Sequence, residues 1–404
     1  MTISLKKIGP GLLFAGAAIG VSHLVQSTKA GAEFGFGLIW ALLLVNVIKY
    51  PFFKYGPLYT VATGESLLEG YKKLGKGLLL AYLVITFASM FTIQTAVTTV
   101  TASIASTLFQ IDWPTKYWSL IILILCFGLL VKGKYVFLDK LMKIIVILLT
   151  ITTIVAVILA INHNKEPLNL AQHLPSNSIE IAFLIAFMGW MPAPLDVSVW
   201  HSLWAVEKKK LQPETSKKIS MLDFNIGYLT TVLIGMCFLA LGALIMFKSN
   251  ESFSDSGSAF ATQLINMYTK SLGNWAYWLI GIAALTTMLS TTFTTLDASP
   301  RSMSKALQLF GNKSKFNSYI FWLLILTVGS IIILFGFVSQ MGILIKISTI
   351  LSFLTAPFYA IINYKLIISK HTPKAFQPST LMKLYSTLSI LLLIGFSIWF
   401  LSTF

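Results

Sequence analysis

Gly189-Trp190-Met191-Pro192-Ala193-Pro194-Leu195-Asp196-Val197-Ser198-Val199-Trp200-His201-Ser202 lies inside an apolar run long enough to cross a membrane, yet it holds two prolines, an aspartate and a histidine. Each proline removes a backbone donor and clashes with the preceding turn, so Pro192 and Pro194 predict a helix broken near mid-span. Broken backbone at membrane depth survives only where it is buried in protein or lines a cavity. A charged residue beside the break marks a candidate functional site. The first apolar run has a counterpart in Gly16-Ala17-Ala18-Ile19-Gly20-Val21-Ser22-His23, a glycine-punctuated stretch that runs into polar residues. Interrupted spans in corresponding halves of a chain point to a transporter's binding site.

The surrounding composition agrees with a membrane chain. The 404 residues are 56% hydrophobic and only 11% charged, with a mean hydropathy of +0.80. A soluble domain of this length is not so apolar. Apolar windows of transmembrane length fall at 11–30, 36–62, 78–108, 117–133, 139–161, 179–204, 220–247, 272–297, 316–338, 341–366 and 381–402. The expected fold is therefore all-α and polytopic, with eleven transmembrane helices. Repeat one covers 11–161 and repeat two 179–366. They are expected to form two inverted five-helix repeats, each opening on a broken helix, with 381–402 as an added helix. The first run reads as a membrane helix rather than a cleaved signal, because no small-residue cleavage site leads into a polar chain. The polar stretches 162–178 and 248–270 read as external loops.

A net charge of +16 would suggest nucleic acid in a soluble protein. Here the distribution gives another reason. With the N-terminus inside, Lys116, Lys165, Lys248 and Lys270 fall outside, and Lys29 and Lys346 fall within outer helix halves. The other basic residues, Lys49 among them, collect at cytoplasmic loops and helix ends. Such asymmetry sets orientation, with the C-terminus external and the plasma membrane, a bacterial inner membrane, as the location. No nucleic-acid partner, cofactor or obligate protein partner is implied; the expected partners are the lipid bilayer and a small solute or ion. Cys126 and Cys237 lie in apolar runs and read as small core residues.

Several short motifs, in order, resemble the Nramp divalent-metal transporters. They are Ile8-Gly9-Pro10-Gly11-Leu12-Leu13 with Gly31-Ala32-Glu33-Phe34-Gly35-Phe36, then Thr63-Gly64 with Leu67 and Glu69. Leu222-Asp223, Leu272-Gly273-Asn274 and Leu351-Ser352-Phe353-Leu354-Thr355-Ala356-Pro357-Phe358 follow. The resemblance spans nearly the whole chain. It implies the inverted-repeat fold shared with amino-acid transporters, and a metal bound between the unwound parts of helices one and six.

The family pattern there is Asp-Pro-Gly-Asn in helix one and Met-Pro-His in helix six, and this chain departs from both. Gly20-Val21-Ser22-His23 stands in place of the first. For the second, alignment on Pro194 puts Ala193 at the methionine and Leu195 at the histidine, whereas alignment on His201-Ser202 puts Asp196 at the histidine. A carboxylate offsets the desolvation of a cation and a thioether selects transition metals; Gly20 and Ala193 supply neither. The family's third helix usually carries acidic residues tied to proton movement, but 79–108 has no Asp, Glu, His, Lys or Arg. Thr349 stands where a metal-contacting glutamine is common.

The candidate substrate-binding residues are Gly20, Ser22, His23, Gln26, Trp190, Ala193, Asp196 and Thr349. Lys29 and Lys346 are candidate electrostatic contributors. Any metal would fall to His23 and Asp196. Each has a structural alternative: His23 hydrogen-bonded to a neighbouring helix, Asp196 capping the second half-helix, Lys346 snorkelling outward. His201 reads as a packing residue, and the threonine runs 95–103 and 286–295 as helix contacts. The function implied is a secondary transporter that moves a metal cation through a remodelled site not selective for manganese or iron. The alternative is the same fold carrying another class, a small anion or an organic solute such as an amino acid. An enzyme is not expected, since no nucleophile–base constellation or cofactor fingerprint is present.

Overall fold

The computed structural model describes residues 9–132, 135–163, 169–213, 216–247, 253–254, 257–311, 318–336 and 341–403. Every regular element among them is helical. The first run is α1 (Pro10–Ala18), a π-helix (Ser22–Ser27) and α2 (Thr28–Phe34). There follow α3 (Ile39–Thr63), α4 (Leu67–Leu74), α5 (Lys76–Phe109), α6 (Thr115–Lys132) and α7 (Tyr135–His163). The second half comprises α8 (Ser178–Trp190), α9 (Val197–Leu211), α10 (Lys217–Ile245), α11 (Gly257–Leu272) and α12 (Ala276–Leu309). It ends with α13 (Tyr319–Gly336), α14 (Met341–Ile368) and α15 (Thr380–Leu401).

By length and hydropathy, seven described helices can cross a membrane, or eight when the first run, bent by 50° at its break, counts as one span. Their outer faces carry bare aliphatic side chains such as Val84, Ile124, Leu125 and Ile332, as a surface facing lipid requires. The stretch 248–270, read as a loop, differs. Gly257–Leu272 is a helix that buries Phe260, Leu264, Met267 and Tyr268. Spacings of three and four residues give it an apolar stripe, which a reading by mean polarity overlooks.

One long helix, α10, holds both halves of the first run. The Asp223 carboxylate on α10 accepts from Gly11 N–H at 2.9 Å and Gly9 N–H at 3.1 Å, satisfying donors that open α1. A Cβ on Gly11 would stand 2.0 Å from the Asp223 carbonyl oxygen, and one on Gly227 2.0 Å from that of Gly11. Farther along, Gly31 meets the Leu239 carbonyl and Gly242 the Thr28 carbonyl in the same way. Backbone therefore lies on backbone at both ends, an approach open only to glycine. Asp223 is itself buried, its carboxylate closing the start of α1.

Candidate functional site

Both expected breaks are present. In the first run, α1 stops at Ala18, Ile19 turns to extended backbone (φ −77°, ψ 94°), and the helix resumes with the wide π turns of 22–27. π turns concentrate at functional sites. In the second, α8 ends at Trp190, residues 191–196 are irregular, Met191–Pro192 is cis, and α9 starts at Val197.

Freed carbonyls at the first break are met by hydroxyls. Thr291 Oγ1 of α12 donates to Ile19 O at 3.2 Å, Ser290 Oγ to Gly16 O at 3.4 Å, and Ser22 Oγ to Ala18 O at 3.0 Å. Thr291 also fixes the identity of residue 20: a Cβ on Gly20 would come within 2.7 Å of its Oγ1 and 2.8 Å of its Cγ2. Any side chain here, an aspartate included, displaces Thr291.

His23 is wholly buried and turned toward α10. Its Nε2 lies 3.0 Å from Thr231 O, and its Nδ1 2.7 Å from Ser22 Oγ. A carbonyl only accepts, so Nε2 carries a proton, and the single Ser22 hydroxyl proton is shared between Nδ1 and Ala18 O. The ring is thus occupied by protein on both sides, the neighbouring-helix alternative.

The second break is held by a residue that charge patterning placed at a cytoplasmic helix end. Lys49 of α3 is fully buried, and its Nζ donates to Gly189 O at 2.7 Å, Met188 O at 2.8 Å, Met191 O at 3.0 Å and Ala193 O at 3.3 Å. The last four carbonyls of a helix lack partners, and Pro192 and Pro194 offer no N–H to meet them. The ammonium satisfies those of Met188, Gly189 and Met191 and sits at the negative end of the α8 dipole. A lysine in the middle of an apolar helix, two residues before Pro51, was the available signal. Asp196 is buried and within electrostatic reach of Lys49. Its side chain makes no capping bond to α9, and its Oδ1 has no hydrogen-bond partner among the described residues.

Between the breaks lies a cavity of about 30 Å³, room for a water or two. It is lined by Ala17, Ala18, Gly20, Val21 and Ser22 of the first break, and by Trp190, Pro194, Val197 and Trp200 of the second. Ile93 and Val97 of α5 and Thr291 and Thr295 of α12 close it. Of the expected residues, Gly20, Ser22 and Trp190 meet here; His23, Gln26, Ala193, Asp196 and Thr349 are not in the lining. The pairing of His23 with Asp196 in one pocket is thus not what the geometry shows: His23 faces α10, and neither residue is in the lining. Thr349 turns its hydroxyl back to Ile345 O at 2.7 Å. Lys346 is exposed and Lys29 half-buried, both outside the lining. Trp190 Nε1 donates to Ser352 Oγ at 2.8 Å, whereas Trp200 Nε1 is buried with no partner among the described residues. His201 stacks between Phe14 and Phe224, a packing role. No group of three His, Cys, Asp or Glu side chains gathers among the described residues.

At the α4 end, a second cavity of about 290 Å³ is lined by Glu69, Glu207, Lys210, Arg301, Lys305 and Tyr319, among others. There Glu69 closes a capping box with Ser66 and pairs with Lys305 at 2.7 Å, tying α4 to α12. Lys209 of α9 donates to Val61 O at 2.9 Å at the end of α3.

A helical bundle organised round two helices broken at membrane depth, with a cavity between the breaks, is the architecture of a secondary transporter. The chain belongs to the Nramp family: natural resistance-associated macrophage protein-like sequence matches residues 11–403. It is 35% identical over 367 residues to an uncharacterized protein of Pasteurella multocida, covering 89% of this chain and 84% of that one. Its fold is similar to the Eremococcus coleocola manganese transporter bound to an aromatic bis-isothiourea compound (TM-score 0.75, 14% identity, 99% of this chain and 87% of that one). It is also similar to MhsT in complex with L-phenylalanine (TM-score 0.67, 14% identity, 98% and 99%). The chain is accordingly an integral membrane protein of a transporter family, not of an enzyme class.

Proposed function

We propose that this Nramp protein is a secondary transporter carrying a hard metal cation with much of its water retained, instead of a stripped manganese or iron ion. The observation that carries this reading is the cavity lining, which offers hydroxyls, main chain and hydrocarbon but no carboxylate, imidazole or thioether. Soft and borderline metals are selected by sulfur and nitrogen ligands, whereas a hydrated ion such as magnesium needs only oxygen. Family membership supports a metal cargo, and the lining supports its hydration. The cargo crosses by opening the cavity to one side at a time, in the plasma membrane with the N-terminus cytoplasmic.

One observation favours a second reading. Trp200 Nε1 is a donor with no acceptor beside the cavity, and an indole N–H binds anions or carbonyl oxygens, not cations. On that reading the cargo is a small solute bearing an acceptor. Uptake into proteoliposomes separates the two. Magnesium uptake that Trp200→Phe leaves unchanged supports the first. Uptake of an organic or anionic solute lost in Trp200→Phe and kept in Asp196→Ala supports the second and overturns the first.

A further inference from the structure

Lys49 presents an ammonium to four main-chain carbonyl oxygens at 2.7–3.3 Å, in full burial. An ammonium has three protons, so the four oxygens share them. That is more acceptor than one lysine requires, and it resembles the way carbonyl rings replace the hydration shell of a potassium ion. Three further features favour a positive charge at this place. Met188 O and Gly189 O belong to the last turn of α8, where the helix dipole is negative. Pro192 and Pro194 cannot return hydrogen bonds to the freed oxygens. Asp196 adds a carboxylate whose Oδ1 has no hydrogen-bond partner among the described residues and whose charge acts on Lys49.

We propose that the carbonyl oxygens of Met188, Gly189, Met191 and Ala193 form a monovalent-cation site that Lys49 occupies permanently as a tethered cation, and that a potassium-sized ion takes the same place when the ammonium is removed. Ammonium and potassium ions are close in size, so the spacing set by Nζ favours potassium and rubidium over sodium. The native carrier needs no dissolved alkali cation to hold its second break, because the chain supplies one. The site is separate from the cargo cavity, whose lining does not include Lys49.

The test is thermal unfolding of purified Lys49→Ala in chloride salts of potassium, rubidium, sodium and choline at equal ionic strength. Native protein and Lys49→Met, whose longer stem fills the space, serve as controls. A ligand that binds only the folded state raises its midpoint. The expected result is a Lys49→Ala midpoint higher by roughly 2 °C or more in potassium or rubidium than in choline, a smaller rise in sodium, and no cation dependence in either control. Radioactive rubidium should bind Lys49→Ala in a one-to-one ratio and be absent from the native protein. Equal midpoints in all four salts, or no folded Lys49→Ala recovered from any of them, overturns the proposal. Binding and unfolding are the readouts, so the result is independent of which cargo the carrier moves.

Discussion

At the scale of single residues, two contacts decide most of the local chemistry. Gly20 has no room for a side chain beside Thr291, so installing the aspartate that the family resemblance implies there is not a simple repair. We expect Gly20→Asp alone to lower the thermal midpoint and to give no manganese uptake, and Gly20→Asp with Thr291→Gly to recover part of the lost stability. A Gly20→Asp protein of native stability that takes up manganese would show that the break accommodates the carboxylate. Asp223 accepts two N–H groups at the start of α1. Caps of this kind contribute roughly 0.5–2 kcal/mol, and charged acceptors are the stronger ones. Asp223→Asn should therefore lower the unfolding midpoint measurably, with the loss confined to stability if cargo uptake at low temperature is unchanged.

At the scale of elements, the helix α4 reports on acidity. Burial alone would raise the Glu69 carboxyl, but Lys305 and the Ser66 hydroxyl and N–H bind its charged form, and the net effect holds it below the ordinary glutamate range. A group depressed in the folded state contributes stability above its unfolded value and loses it as pH falls through the folded one. The α4–α12 tie should thus be intact at neutral pH and fade in acid. Midpoints of native protein and Glu69→Gln are expected to differ near neutrality and converge at low pH; a constant gap would assign the difference to something other than this carboxylate. By contrast the stretch 79–108 of α5 carries only neutral polar groups: Thr295 Oγ1 donates to Gln94 Oε1 at 2.7 Å, and Thr101 bonds Thr292 of α12 at 2.7 Å. Gln94→Leu should cost stability while leaving any proton movement that accompanies uptake unchanged, as pH-dye measurements in liposomes would show. These elements also mark what a sequence can and cannot reveal. Both breaks were legible because glycine and proline act on local backbone, where neighbours along the chain suffice. Lys49, Thr291 and the facing of His23 were not, because each depends on which helix lies opposite. Charge patterning put Lys49 at a helix end because it ranks lysines by sequence position, blind to a partner 140 residues away in the chain.

At the scale of the molecule, the asymmetry of basic residues predicts that a cysteine placed in 169–178 of an otherwise cysteine-free carrier is labelled by an impermeant reagent from outside intact cells. Labelling only in inverted vesicles would reverse the orientation. The long helix laid against the first run has a mechanical consequence. A broken helix is commonly pictured as a hinge, its halves swinging independently. Here α10 is a splint across the fracture, since glycine contacts fix it to α1 on one side and to α2 on the other with no compressible side chain between. Splinted halves move as one lever, and against α12 that lever meets hydroxyl-to-carbonyl contacts, which can be exchanged one for another.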